Sequence, residues 1–372
     1  MPPWETMIVS LAMAVPVLAG EQIDPSKATV RDGDATLWYN VLDLGLEGKG
    51  WTDTKAPFDR LPSKSEGVVR PPVWTLSRHS AGISVRFETD ATTIKANWSL
   101  TSPRLSMNHM PATGVSGVDL YVKTETRWRW LGVGRPTKPS NSATLVSGIP
   151  SGRREYMLYL PLYNGVTSVE IGLPRGSKLF KAGPRKSGHT KPILFYGTSI
   201  TQGGCASRPG MVHTAILGRW LDSPVINFGF SGNGKLDPEI GDLFQELDPS
   251  VFVLDCLPNM TAAEVAERTE PFVHKLRKTH PQTPILLVED RTYTNSFLIP
   301  SKRERNDTSR VELKKTYATL KAAGVKNLYY LEGENLLGDD GEGTVDSSHP
   351  TDLGFVRQAE AFRKVLEPLL KE

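Results

Sequence analysis

Ser199 and His349, some 150 residues apart, are the side chains whose types and surroundings point most directly to covalent chemistry. Ser199 stands in Tyr196-Gly197-Thr198-Ser199-Ile200-Thr201, directly after the apolar run Pro192-Ile193-Leu194-Phe195. His349 stands in Asp346-Ser347-Ser348-His349-Pro350, with a carboxylate three residues before it. A serine hydroxyl is a poor nucleophile at neutral pH until a base within hydrogen-bond reach takes its proton, and that base needs an orienting acid. Ser199, His349 and Asp346 are therefore read as nucleophile, base and acid. Plainer readings compete with each assignment. Ser and Thr often only cap helices, and Asp-x-x-His also occurs in caps and metal sites. No second His cluster or Cys pair stands at ligand spacing, so neither a metal nor a cofactor is expected.

Two turns between these segments could supply donors to a developing oxyanion. Asn227-Phe228-Gly229-Phe230-Ser231-Gly232-Asn233-Gly234 has three glycines that allow close backbone approach, and an inward Gly232 amide would donate. In Asp255-Cys256-Leu257-Pro258-Asn259-Met260, the Asn259 side-chain amide could donate a second bond. Taken singly, each is equally a turn or a cap.

The elements that must position these groups change character along the chain. Up to about Ser187-Gly188-His189, short alternating runs such as Ile83–Phe87, Thr93–Trp98, Val118–Val122, Trp128–Leu131, Tyr156–Leu160 and Val169–Ile171 are separated by turn residues. That pattern predicts an all-β sandwich over residues 21–187. Over 188–372, strands at Ile193–Tyr196, Val225–Phe228, Val251–Asp255, Ile285–Val288 and Leu328–Leu331 alternate with helices at Met211–Leu221, Ala262–His280, Thr308–Ala323 and Leu353–Leu370. Thr261, with Glu264 three residues on, is expected to form a capping box for the second helix. This order predicts a doubly wound α/β domain, whose ligands sit beyond the carboxyl ends of the strands. Every segment singled out above follows a predicted strand or precedes the last helix.

The blocks taken together resemble the SGNH hydrolase superfamily of GDSL-type esterases. On that resemblance the sheet is flavodoxin-like, Ser199, Asp346 and His349 form the triad, and Ser199, Gly232 and Asn259 form the oxyanion hole. Gly197-Thr198-Ser199-Ile200 departs from Gly-Asp-Ser-Leu, and Leu257-Pro258-Asn259-Met260 from Gly-x-Asn-Asp; no catalytic group is lost, but a distinct subfamily is implied. Gly117-Val118-Asp119-Leu120-Tyr121 looks like the Gly-x-Asp-Leu-Tyr motif of a β-sandwich domain ahead of some SGNH hydrolases, so the resemblance spans nearly the whole chain. It implies a carbohydrate O-acetylesterase acting on an acylated carbohydrate or other small ester. An acyltransferase and a non-catalytic carbohydrate-binding protein are the alternatives. Asp119 and Tyr121 are expected to be structural.

Glu289 and Arg291, beyond the fourth strand, are expected on the substrate rim, as are His109, on a loop of the first half, and Arg208, just after the nucleophile segment. Trp74, Trp98, Trp128 and Trp130 are expected in the core rather than on a sugar-stacking face. The bulk numbers exclude other classes. A net charge of +3 without a dense basic block argues against nucleic acid or an anionic membrane surface. Cys205 and Cys256 make no disulfide framework. Met7–Gly20 is too short to span a bilayer comfortably, so no stable membrane insertion is expected. Residues 1–20 read as a signal peptide, with small-residue spacing at Val17-Leu18-Ala19 but no Lys or Arg before the apolar stretch. Export is expected; if the stretch is not a signal, the location is cytoplasmic.

Overall fold

The computed structural model describes residues 20–371 other than residue 32, and all of the signal-peptide segment except Gly20 lies outside them. The first ten strands are β1 (Thr29–Val30), β2 (Thr36–Asn40), β3 (Ser84–Thr89), β4 (Thr93–Leu100), β5 (Val118–Lys123), β6 (Trp128–Gly134), β7 (Ser140–Ser147), β8 (Arg154–Tyr159), β9 (Val166–Pro174) and β10 (Leu179–Lys181). They form two antiparallel sheets, β1-β2-β9-β4-β7 and β10-β3-β8-β5-β6. Val85, Phe87, Ile94, Trp98, Leu120, Leu158 and Ile171 fill the space between them, each at an alternating strand position, which is how a period-two sequence buries one face. Two short helices, α1 (Pro71–Ser77) and α2 (Ala112–Val115), lie in the connections.

The remaining elements are β11 (Ile193–Gly197), α3 (Ser199–Gln202), α4 (His213–Trp220), β12 (Val225–Gly229), α5 (Pro238–Phe244), β13 (Val251–Asp255), α6 (Ala262–Thr279), β14 (Ile285–Val288), α7 (Pro300–Ala322), β15 (Leu328–Leu331) and α8 (Asp352–Leu369). The five strands are parallel in the order β12-β11-β13-β14-β15, the 2-1-3-4-5 order of a flavodoxin-like sheet. Its chain order reverses beside β11, so the mouth of the sheet opens at the end of that strand.

Alternation assigns the two faces. Leu194, Tyr196, Phe252 and Leu254 pack with α5, α6 and α7, whereas Ile193, Phe195, Val251 and Val253 pack with α4 and α8. The second face also takes Tyr121, Met157, Tyr159 and Leu162 from the sandwich, so the two halves share one apolar contact layer. The capping box at Thr261 and Glu264 is formed.

One segment departs from the expected division of the chain. Residues 58–79 belong to the first half in sequence, yet Leu61, Val69 and Val73 pack into the core of the parallel sheet against Phe228 and Phe230. They cover β12, an edge strand. Exposed strand edges carry unpaired backbone groups, and covering them with a loop or helix is a common remedy. No helix among the described residues is long and apolar enough to cross a membrane.

Candidate active site

The end of β11 makes the turn that carries Ser199. A Cβ on Gly197 would lie 2.0 Å from Thr201 Oγ1 and 2.8 Å from Asp255 O, so the tight turn needs glycine. Thr198 is the N-cap of α3, its hydroxyl accepting from Ile200 N. The cap is therefore Thr198, which leaves the Ser199 hydroxyl for another partner. Gly203, at φ 111°, ends the helix. As the first helical residue, Ser199 has an amide without an intrahelical acceptor.

His349 reaches the same point from the far end of the sheet. Its carbonyl accepts from Val345 N and from Thr344 Oγ1, each at 2.8 Å, closing a short loop ahead of α8. Asp346 Oδ1 accepts from the amides of Ser348 (3.1 Å) and His349 (2.8 Å). Its Oδ2 lies 2.8 Å from His349 Nδ1, and His349 Nε2 lies 2.8 Å from Ser199 Oγ. With the Nδ1 proton assigned toward the carboxylate, Nε2 is the acceptor facing the hydroxyl. Partial burial pushes the Asp346 carboxyl up, but the two amides and the imidazole outweigh it and hold it below the usual carboxylate range.

The two donor turns adjoin this chain. Gly232 has φ 70°, a left-handed conformation that favours glycine, and its exposed amide meets no protein acceptor. The Asn259 amide, oriented by the donors around it, accepts from Asn233 N at 3.0 Å and Gly234 N at 3.2 Å. Both amides also donate to Phe230 O. With its oxygen so occupied, the Asn259 Nδ2 donors are free of that turn. A hydroxyl, an imidazole and a carboxylate in one hydrogen-bonded chain, with amide donors on adjoining turns, are parts that acyl transfer requires.

The other expected rim residues separate. His109 comes from the sandwich side and lies edge-on to His349, ring centres 6.0 Å apart. Arg208 does not face outward. It bonds Asp119 at 2.8 Å and the Tyr121 hydroxyl, while Gly210 N also donates to Asp119. The Asp119–Tyr121 strand thus grips the segment just after Ser199, a tie between the two halves. Glu289 and Arg291 lie beneath the rim. Glu289 accepts from Tyr330 Oη and Gly333 N, and Arg291 pairs with Asp255 and Gln358. Both are buried with their donors and acceptors committed inside the protein, which corrects their expected place on the rim. Trp98 and Trp128 are buried, but Trp130 is half-exposed, its Nε1 on Asp119. Cys205 and Cys256 are buried free thiols.

The comparisons with known proteins follow the same two halves. The model of the GDSL-like lipase/acylhydrolase family matches residues 190–367, and that of the GxDLY N-terminus of the SGNH-hydrolase-type esterases matches residues 36–179. A protein described as a GDSL-like lipase, from Bacteroides ovatus, is 34% identical with a TM-score of 0.85, over 90% of this chain and 98% of its own. A salicylyl-acyltransferase from a tetracycline biosynthetic pathway shares the fold at 19% identity and a TM-score of 0.65, over 95% and 98% of the two chains. A family two carbohydrate esterase from Clostridium thermocellum, in complex with cellohexaose, does so at 15% and 0.56, over 78% and 93%. No curated protein matches the chain.

Proposed function

Because the chain belongs to the GDSL-like lipase/acylhydrolase family, we propose that it hydrolyses short-chain O-esters, acetyl esters above all, on carbohydrates through a Ser199–His349–Asp346 triad. The observation that carries this reading is the continuous chain of contacts, 2.8 Å from Ser199 Oγ to His349 Nε2 and 2.8 Å from His349 Nδ1 to Asp346. Ser199 attacks the ester carbonyl as His349 takes its proton. The amides of Ser199 and Gly232 and the Asn259 side chain hold the tetrahedral oxyanion. The protonated imidazole then passes its proton to the leaving alcohol, and water, activated by the same histidine, releases the acid.

A sugar as the alcohol is supported by the openness of the site. The His349 and Asp346 side chains are 25% and 43% exposed, and His109 offers a ring nitrogen beside them for a substrate hydroxyl. A bulky hydroxylated leaving group fits such a site, and a carbohydrate esterase of the same fold holds cellohexaose. Export, suggested by the N-terminal apolar stretch, would bring the enzyme to such substrates.

The test is acetate release from acetylated polysaccharides and oligosaccharides, with Ser199→Ala as control. Products are analysed with and without an added alcohol, because an acyltransferase would use the same groups and esterify the acceptor. A longer acyl group is the second reading. Phe297 and Leu298 are three-quarters exposed on the loop after β14, which is tied to the acid–base loop through Thr294 N and Ser347 O at 3.1 Å. A specificity constant that rises from acetyl to octanoyl esters selects it over the acetyl reading.

Two further outcomes are expected. Asn259→Ala lowers kcat by about 10²–10³, the cost of losing one oxyanion donor, with the fold intact by circular dichroism; near-normal turnover would remove Asn259 from the site. Activity also falls with acidification, because only neutral imidazole accepts the serine proton and histidines titrate in the range pH 5–8. Asp346, held below the usual carboxylate range, stays charged there, so log kcat/KM should fall with unit slope. A flat profile across that range would contradict the base assignment.

A further inference from the structure

The turn that carries Gly232 is gripped by residues from the other half of the chain. Arg60 is fully buried and meets no carboxylate; all of its bonds go to backbone carbonyls. Its Nη1 donates to Asn227 O (3.0 Å) and Gly229 O (2.8 Å), and its other nitrogens to Leu76 O (2.7 Å) and His79 O (2.9 Å). Asn227 and Gly229 are two apart on edge strand β12, so both carbonyls face out of the sheet. The guanidinium also lies 4.9 Å over the Phe230 ring. Burying a charge without a counter-charge is costly, and that cost is offset by the four carbonyls it pairs, which apolar side chains would leave without donors. What the planar fork adds is fixed geometry at several acceptors at once.

Arg70 grips the other side of the same turn. It bonds Asn233 Oδ1 and Asn233 O, each at 2.8 Å, and Asp237 Oδ2 at 2.8 Å. Between the two arginines, His79 accepts from Gln202 Nε2 at 3.1 Å, while Gln202 Oε1 accepts from Ser231 N at 3.0 Å. Burial first, and then Arg60, push the His79 pKa down to about 4, so its ring is the neutral acceptor this bond requires. Every residue around Gly232 is held, while its own amide meets no protein acceptor.

We propose that residues 60–79 form a positioning clamp, in which Arg60 and Arg70 fix the Gly232 turn so that its amide and the Asn259 side chain stay aimed at a developing oxyanion. The catalytic half of this inference rests on the esterase reading. The physical need is general: oxyanion donors act without reorganisation only if they are held before the reaction. Gly232 has an open left-handed conformation with no atom within 4 Å of a would-be Cβ, so the hold has to come from its neighbours.

The test uses the full chain with Arg70→Gln, a half-exposed position, and Arg60→Lys, which keeps the charge but loses the fork. Amide exchange across residues 231–234, the melting temperature, and kcat and KM on a short-chain aryl ester are measured. Exchange at 231–234 is expected to quicken about tenfold. Turnover is expected to fall by on the order of 10–100-fold, short of the loss from deleting a donor, with KM within about twofold. A merely structural role would lower the melting temperature without that split. Folded Arg70→Gln with wild-type exchange and wild-type kcat overturns the clamp, whether or not Arg60→Lys folds. If wild type shows no Ser199-dependent ester hydrolysis, the esterase reading fails, and exchange alone decides the clamp: faster exchange sustains it and unchanged exchange rejects it.

Discussion

Ser199→Ala is expected to lower kcat by about 10⁴–10⁶, equivalent to roughly 5–8 kcal/mol of transition-state stabilisation, with almost no cost to the fold. The asymmetry follows from what the hydroxyl touches. Its side-chain bond is to His349 Nε2, and Ser199 is only half-buried, so alanine removes a contact worth about 1 kcal/mol. For catalysis the loss is the covalent route itself. His349→Ala should cost about as much, and the double variant little more than either single one, because nucleophile and base act as one unit. Asp346→Asn should cost less. The carboxylate is 43% exposed, so water can partly replace its hold on the ring. An aryl phosphonate should add one label per wild-type chain by mass and none to Ser199→Ala. A pure Ser199→Ala enzyme that kept a tenth of wild-type turnover would end the nucleophile assignment.

The groups legible in the sequence were those whose meaning is local. Ser199 follows an apolar run and a glycine, and Asp346 and His349 share one loop, so strand end, turn and acid–base spacing could be read without knowing what lies opposite. The five parallel strands and the capping box at Thr261 were legible for the same reason. The first two turns of α7 were not. Residues 300–307 are almost wholly polar, and the buried stripe there starts with Asn306 and Ser309, which bond within the fold instead of forming an apolar face. Segment 58–79 was likewise hidden, since no period shows that Arg60 ends up on carbonyls 167 and 169 residues away. Glu289 and Arg291 were drawn to the rim by their place after a strand. Their partners Gly333 and Gln358 lie 44 and 67 residues further on, beyond any local pattern.

Arg291→Met is expected to destabilise the protein by about 3–5 kcal/mol, the cost of stranding one member of a buried ion pair. Arg291 is 1% exposed and Asp255 fully buried. The guanidinium meets both carboxylate oxygens, and Gln358 Oε1 accepts from its Nε and Nη2 at 2.8 and 2.6 Å. Without it, Asp255 keeps the Thr201 hydroxyl at 2.8 Å, too little for a charge excluded from water. Urea unfolding of wild type and Arg291→Met, fitted at constant slope, measures the difference; a change below about 1 kcal/mol would show that water enters the site. A paired charge is not intrinsically better than a packed apolar core, so the double variant Asp255→Leu/Arg291→Met should recover much of the loss. It should not recover turnover. Thr201 lies two residues after Ser199, Asp255 ends the strand leading to Asn259, and Gln358 sits on the helix that follows His349. The network therefore joins all three segments at fixed distances, and an apolar replacement can restore cohesion while leaving those distances free to drift.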